Sequence, residues 1–556
     1  MVNRRTVNAG LAGLGIASMG SLFTAARAHG AETTGPVVKT AGGPVRGIVQ
    51  GGICRFLGIP YGAPTSAAGR FMPPRPSQPW SAVRDCLDYG ATCPQIPLGI
   101  SPFVSHRNGD AKPPEPNPVQ KQLATFFARR NPEPKQSEDC LVLNIWTPAP
   151  DSAKRPVMVW LHGGGFAVGS GSSPAYEGEH LAKRGDVVVV TINHRLNVFG
   201  YLYLGDLAGP EFAQSGNAGM LDVVLALQWI RDNISAFGGD THNVTIFGES
   251  GGAGKVSVMC GLPVAKGLFH KAIMQSGPCL QIGNKERGTA IARQVMKELE
   301  IPEGRAADLQ NVDAMKLAAA ADKADSKVVP RVLGFGPMGL IPLVDGHVIL
   351  HHPFDTDAAP ESAQVPFLVG STRDEAVLFT APLPGWGQLT EAEVIERVRP
   401  MAGERTAQAL QLYKTLHPDD DLSYLLGDIT TDFWMRQAAW RVAELKAKQK
   451  AAPAFVYVLD WRVNPQLRCP HGTDVFLAFD TIATSASVAN APNAQAVADQ
   501  MSDAWIAFAR TGNPTWRKAT PWPAYETQSR ANMLFNVESR IVKDYDKSAR
   551  EFWSKA

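Results

Sequence analysis

The chain has no local pattern for a metal or redox centre. Its seven cysteines form no C-x-x-C pair or zinc-like cluster and no H-E-x-x-H occurs, so neither a metal nor a cofactor is expected. Charge of one sign is also missing. With a net charge of +2 and no basic cluster interleaved with aromatics, the composition indicates no nucleic-acid partner and no polyanionic surface. Past the N-terminal segment no stretch reaches the ~20 apolar residues that a membrane-spanning helix needs. Internal repeats, and a linker that would divide the chain, are absent as well. One segment resembles the end of a phosphate-cradling loop, Gly-Gly-Ala-Gly254-Lys255, but it fails at two positions. Glu249 stands where that loop needs a glycine, and Val256 where a Ser or Thr would hold magnesium.

What is present reads as a large α/β protein. At 556 residues, 44% hydrophobic and 19% charged, the chain can bury an extended core. Asn3-Arg4-Arg5-Thr6, a weakly apolar Gly/Ala-rich run over 7–26 and Ala26-Arg27-Ala28 predict an export signal of the paired-arginine type, cut at Ala28 or Ala31. The chain therefore divides into an export signal, 1–28, and one domain, 29–556, of a periplasmic or secreted protein. An oxidising compartment would let cysteines pair, and their odd number leaves at least one outside any intrachain bridge.

The region 37–52 reads as an edge hairpin, and the Pro/Gly-rich residues up to about 100 as strand and loop. The polar stretch 97–138, with one helical patch at 120–130, reads as a surface excursion. Continuous apolar runs at 141–146, 157–161 and 187–191 fit strands buried on both faces. Further strands are expected at 244–247, 271–275, 365–370 and 454–459, with helices at 221–234 and 499–510. Segments 288–330 and 391–450, rich in Ala, Leu, Glu and Lys, read as helical insertions over the sheet. Strands alternating with helices imply a large, mostly parallel central sheet flanked by helices.

Within this pattern Ser250 stands in G-x-S-x-G directly after the run Val244-Thr-Ile-Phe247. Gly248 and Gly252 leave room for a strand-to-helix turn that exposes the serine hydroxyl, and the following helix favours negative charge at its N-terminus. A serine nucleophile needs a base, a group to orient that base, and donors for the developing oxyanion. Donors are suggested by His162-Gly-Gly-Gly165-Phe166 after the 157–161 strand, completed by the N–H of Gly251. Of 12 histidines, the order serine, acid, histidine leaves His270, His347, His351, His352, His417 and His471. His471, in the turn-rich Arg-Cys-Pro-His-Gly-Thr-Asp after a core strand, is the favoured base. His351-His352 before a proline is more simply a surface turn. For the acid, Asp374 and Glu375 both follow the carboxyl end of the 365–370 strand, where open α/β sheets bind ligands. Spacing does not choose between them.

These residues resemble the type-B carboxylesterases, the cholinesterase-like α/β-hydrolases. The serine signature lies at 237–252 and a second signature at Glu138-Asp-Cys-Leu-Val-Leu-Asn-Ile-Trp-Thr-Pro148. Further matches are at 56–64, 70–74, 193–202, 216–222 and 505–514, so the resemblance covers nearly everything after residue 37. It implies the α/β-hydrolase fold and hydrolysis of small-molecule carboxylic esters through an acyl-enzyme. By it Ser250 is the nucleophile, Glu375 the acid and His471 the base, and Gly164, Gly165 and Gly251 supply the oxyanion hole. It also implies a disulfide between Cys93 and Cys140, with Cys260–Cys279 as a second pairing. A lipase or amidase is the alternative within the fold, a lipase needing an apolar lid from 381–450. A non-catalytic binding protein of this fold would usually lack a triad member, and all three candidates are present.

Two positions depart from the resemblance, which has Ala where Gly251 stands and Ser where Lys255 stands. Lys255 is expected either to pack its stem and set its ammonium on a carboxylate such as Glu249, or to accommodate a negatively charged group of the substrate. The second is carried forward as the expectation.

Overall fold

The computed structural model describes residues 33–96, 115–127, 135–329 and 338–554. The expected export signal lies outside them. One large sheet organises the chain, built from β1 (Thr33–Lys39), β2 (Pro44–Gln50), β3 (Ile53–Pro60), β4 (Val142–Thr147), β5 (Arg155–Leu161), β6 (Val188–Ile192), β7 (Gly239–Glu249), β8 (Lys271–Gln275), β9 (Phe367–Thr372), β10 (Ala454–Leu459), β11 (Ala531–Phe535) and β12 (Arg540–Lys543). Their spatial order is β1-β2-β3-β4-β6-β5-β7-β8-β9-β10-β11-β12. The stretch from β6 to β11 is parallel throughout. Both flanks are antiparallel.

The apolar runs of the sequence are continuous because both faces of the central strands are covered. Val157, Val159 and Leu161 of β5 enter one core, while Met158 and Trp160 enter the opposite one. The same alternation divides Val188 and Val190 from Val189 in β6, and Val456 from Phe455 and Tyr457 in β10. Parallel register brings the carboxyl ends to one edge, with Leu161 beside Gly248 and Thr372 beside Leu459. The loops that follow β5, β7, β9 and β10 therefore converge without any long reach.

The expected insertions are helical. Lys285–Glu298 and Ala314–Val328 lie in one, and Glu391–Ala402, Thr406–Leu416, Leu422–Thr431 and Gln437–Gln449 in the other. Val394, Val398, Leu410, Leu426 and the C-terminal Trp553 close a small core of their own. Among the described residues no helix is long and apolar enough to cross a membrane.

Two expectations change. The 97–138 stretch is more than a surface excursion, because Pro118–Phe126 is a helix capped by Asn117 that buries Val119, Leu123 and Phe126. Phe126 packs edge-on against Phe476, 5.3 Å between ring centroids, over the loop that carries His471. The expected partners Cys93 and Cys140, like Cys260 and Cys279, stand here as thiols, as do all seven cysteines. Cys93 and Cys140 nonetheless touch. Their hydrogen bond, together with burial, holds the Cys140 thiol well above its ordinary pKa.

A buried ion pair fastens the loop after β6 to the helix Ala218–Asn233. Asp222 accepts from Arg195 Nε at 2.9 Å, from Nη2 at 2.7 Å and from the Arg195 backbone N–H at 2.9 Å. Removing one partner leaves an uncompensated charge in the core. Asp222→Asn is expected to cost about 3–5 kcal/mol of stability, read as a lowered midpoint in a denaturant melt of unchanged slope.

Candidate active site

The turn after β7 is closed by backbone contact. Ser250 takes φ 57° and ψ −125°, a strained conformation for a residue with a side chain. Glycine is required on either side of it. A Cβ on Gly248 would lie 2.6 Å from Leu161 O, and one on Gly252 only 2.0 Å from the same oxygen. The elbow thus sits directly on the end of β5, and its helix, Gly251–Cys260, starts at the serine.

The glycine loop after β5 lies alongside. Gly164 and Gly165 have φ of 93° and 64°, and Gly164 O accepts from the N–H groups of Ala167 and Val168. With that carbonyl engaged, the N–H of the same peptide, on Gly165, points the other way. Gly251 abuts the Gly165 peptide so closely that a Cβ on it would fall 2.2 Å from Gly165 O and 2.4 Å from Gly165 N. That contact sets the glycine loop directly against the start of the helix.

His471 Nδ1 hydrogen-bonds Glu375 Oε2 at 2.6 Å, and Glu375 Oε1 accepts from the Thr372 N–H at 2.6 Å. Asp374 turns away to accept from the Cys469 N–H at 3.1 Å, with Arg468 3.6 Å off, so it braces the histidine loop from behind. The carboxylates that spacing could not separate thus take different positions. Phe379 packs on the imidazole with 5.1 Å between centroids.

Nε2 of His471 has no hydrogen-bond partner among the described residues, and it lies 3.1 Å from Glu249 Oε1. Ser250 is the next residue along. Sequence reasoning offered Glu249 only as a partner for Lys255 and not as a neighbour of the histidine, although strand alternation carried the signal: it shares a face with Phe247, the face that packs against the His471 loop. Asp474 was missed too. It is buried and accepts from Tyr457 Oη at 2.7 Å. Burial pushes the Glu249 carboxyl up, His471 pulling the opposite way. For His471, burial favours the neutral ring, but the nearby Glu249 and Glu375 outweigh it and raise its pKa.

Lys255, expected as a contact for a charged substrate group, is fully buried and turned inward. Its ammonium donates to His162 O at 2.8 Å and Gly165 O at 2.9 Å, and lies 5.6 Å from the centre of the Phe166 ring. Burial draws its pKa down to about 7, with Cys279 acting in the opposite direction. Glu249, the other expected partner, is engaged with His471 instead.

A strained serine between obligate glycines, at the carboxyl edge of a parallel sheet and beside a buried histidine–glutamate pair, defines a serine ester hydrolase of the α/β-hydrolase fold. The chain belongs to the carboxylesterase family, whose model matches residues 34–553. It is 33% identical over 530 residues to the para-nitrobenzyl esterase of Bacillus subtilis (strain 168), covering 93% of this chain and 98% of that one. It is 30% identical over 529 residues to the phenmedipham hydrolase of Pseudarthrobacter oxydans, covering 92% and 97%. The solved carboxylesterase of Geobacillus stearothermophilus superposes with a TM-score of 0.77 at 35% identity, covering 93% of this chain and 99% of that one.

A raised histidine pKa carries a sign. The stabilisation of the imidazolium by its carboxylates is complete below the ordinary imidazole value near ~6.5 and is lost as pH rises through the elevated one. Glu249→Gln removes one anion and is expected to move the His471 midpoint down. Imidazole resonances followed against pH in the resting protein provide the check, and a midpoint that does not move would mean that Glu249 does not act on the ring.

Proposed function

We propose that Ser250, His471 and Glu375 hydrolyse small-molecule carboxylic esters as nucleophile, base and acid, with the N–H groups of Gly164, Gly165 and Gly251 holding the oxyanion. The observation that carries this reading is the 2.6 Å bond from His471 Nδ1 to Glu375, which fixes the tautomer and leaves Nε2 facing Glu249, the residue just before the strained serine. Ser250 Oγ attacks the ester carbonyl while Nε2 takes its proton. The tetrahedral intermediate collapses as the imidazolium returns that proton to the departing alcohol. Water, deprotonated by the same nitrogen, then releases the acyl group. Nε2 rests against Glu249 before the reaction, so the ring exchanges that contact for the serine as substrate enters, in keeping with catalytic hydrogen bonds that tighten only in the complex.

The remaining parts of the reading concern the whole chain. Residues 29–556 act as a single catalytic domain, a view supported by one sheet that takes strands from Thr33–Lys39 to Arg540–Lys543. Segment 1–28 directs export to the periplasm or beyond. There the touching thiols of Cys93 and Cys140 close to a disulfide around a loop of ~47 residues, adding about 4 kcal/mol on the chain-entropy model.

Ser250→Ala is expected to lower kcat by on the order of 10⁶ and to abolish labelling by a fluorophosphonate, and Glu375→Gln to lower kcat by about 10⁴. Asp374→Asn should cost far less than Glu375→Gln. Full esterase turnover in Ser250→Ala would overturn the assignment. For the cysteines, thiol titration of the denatured exported protein should find two fewer than the seven of the sequence.

A further inference from the structure

In the loop after β5 the three glycines bring no side chains of their own, and only His162 Nδ1, 2.8 Å from Gly163 O, braces it from within, yet an oxyanion hole works only if its donors are fixed before the charge develops. The structure supplies an anchor from an unexpected direction. Lys255 reaches from one turn inside the helix Gly251–Cys260 and bonds the carbonyls at the two ends of the loop, His162 O at 2.8 Å and Gly165 O at 2.9 Å. In a trans peptide the carbonyl and the N–H point in opposite directions, so these two bonds fix the end peptides, which carry the N–H groups of Gly163 and Phe166, and leave the two peptides between them, which carry those of Gly164 and Gly165, little freedom to turn. The middle of the loop is held by Ala167 and Val168, which donate to Gly164 O.

The position of the anchor depends on Gly251. The loop lies where a Cβ on residue 251 would stand, 2.2 to 2.4 Å from the backbone of Gly165. Any side chain there would lift Gly165 off the helix and out of reach of the ammonium. The two departures noted in the sequence thus meet at one contact, the missing side chain making the space and the lysine drawing the loop into it.

We propose that Lys255 is a positioning residue for the oxyanion hole, clamping the loop 162–165 onto the start of the nucleophile helix in a seat that only glycine at 251 leaves open. This rests on the oxyanion reading given above. The clamp needs two N–H donors, which both the ammonium and the neutral amine possess.

The test compares wild type, Lys255→Met and Gly251→Ala with p-nitrophenyl acetate, using fluorophosphonate titration to count competent serines. It adds inhibition by a trifluoromethyl ketone, which forms an oxyanion on the serine. Lys255→Met is expected to lower kcat by about 10- to 100-fold with KM within about threefold, and to weaken the trifluoromethyl ketone by a similar factor. Unchanged kcat with a lowered melting temperature would overturn the proposal in favour of simple core packing. A rise in KM alone would overturn it in favour of a substrate contact. If Lys255→Met does not fold, Gly251→Ala decides: the same fall in kcat at constant KM supports the clamp, and unchanged kcat refutes it. Ser250→Ala, assayed in parallel, separates the two readings. If it is inactive while Lys255→Met retains full kcat, the nucleophile stands and the clamp alone fails.

Discussion

Backbone pressed against backbone at the elbow is the constraint on which the rest of this molecule depends. Leu161 O lies where a side chain on Gly248 or Gly252 would have to go, and Gly165 fills the space beside Gly251. Contacts that close need two strands in parallel register with their ends level, as β5 and β7 are, with Leu161 opposite Gly248. They also need a sheet that cannot shift, which the cores on its two faces provide. The strain at Ser250 persists because its surroundings leave the backbone nowhere to relax.

Around the histidine the governing quantity is charge in a place without water. Glu375, Glu249 and Asp474 are all buried near one imidazole, and their common effect is to favour its protonated form. That form is transient in acyl transfer, so a surrounding built for the cation serves the transition state more than the resting base. The helix Pro118–Phe126 closes over the same loop and contributes to keeping it dry.

Much of the fold was legible because its strands are long apolar runs and its nucleophile sits in a glycine-marked turn, both local signals. The serine, the glycine loop and His471 were readable for that reason. The choice of Glu375 over Asp374 was not, since neighbouring carboxylates differ only in where the backbone points them, and it took the resemblance to separate them beforehand. Glu249 was within reach of strand alternation. The packing of Phe126 on Phe476 and the inward turn of Lys255 were not, because both depend on partners 90 or more residues away. The free thiols of Cys93 and Cys140 are a different matter: the resemblance implied who meets whom, while oxidation is set by the compartment.

Apart from a two-residue strand, Arg84–Asp85, that pairs with β2 off the main path, the order of strands in the sheet nearly follows their order in the chain, β5 and β6 being exchanged. A ribosome therefore lays the sheet down from one edge to the other. The strand that leads to Ser250 is made midway, the one that leads to Glu375 later, and the one that leads to His471 later still. A chain that stops short of residue 471 lacks the imidazole proposed as the base. On the proposed roles, the three side chains meet only when almost the whole sheet has closed.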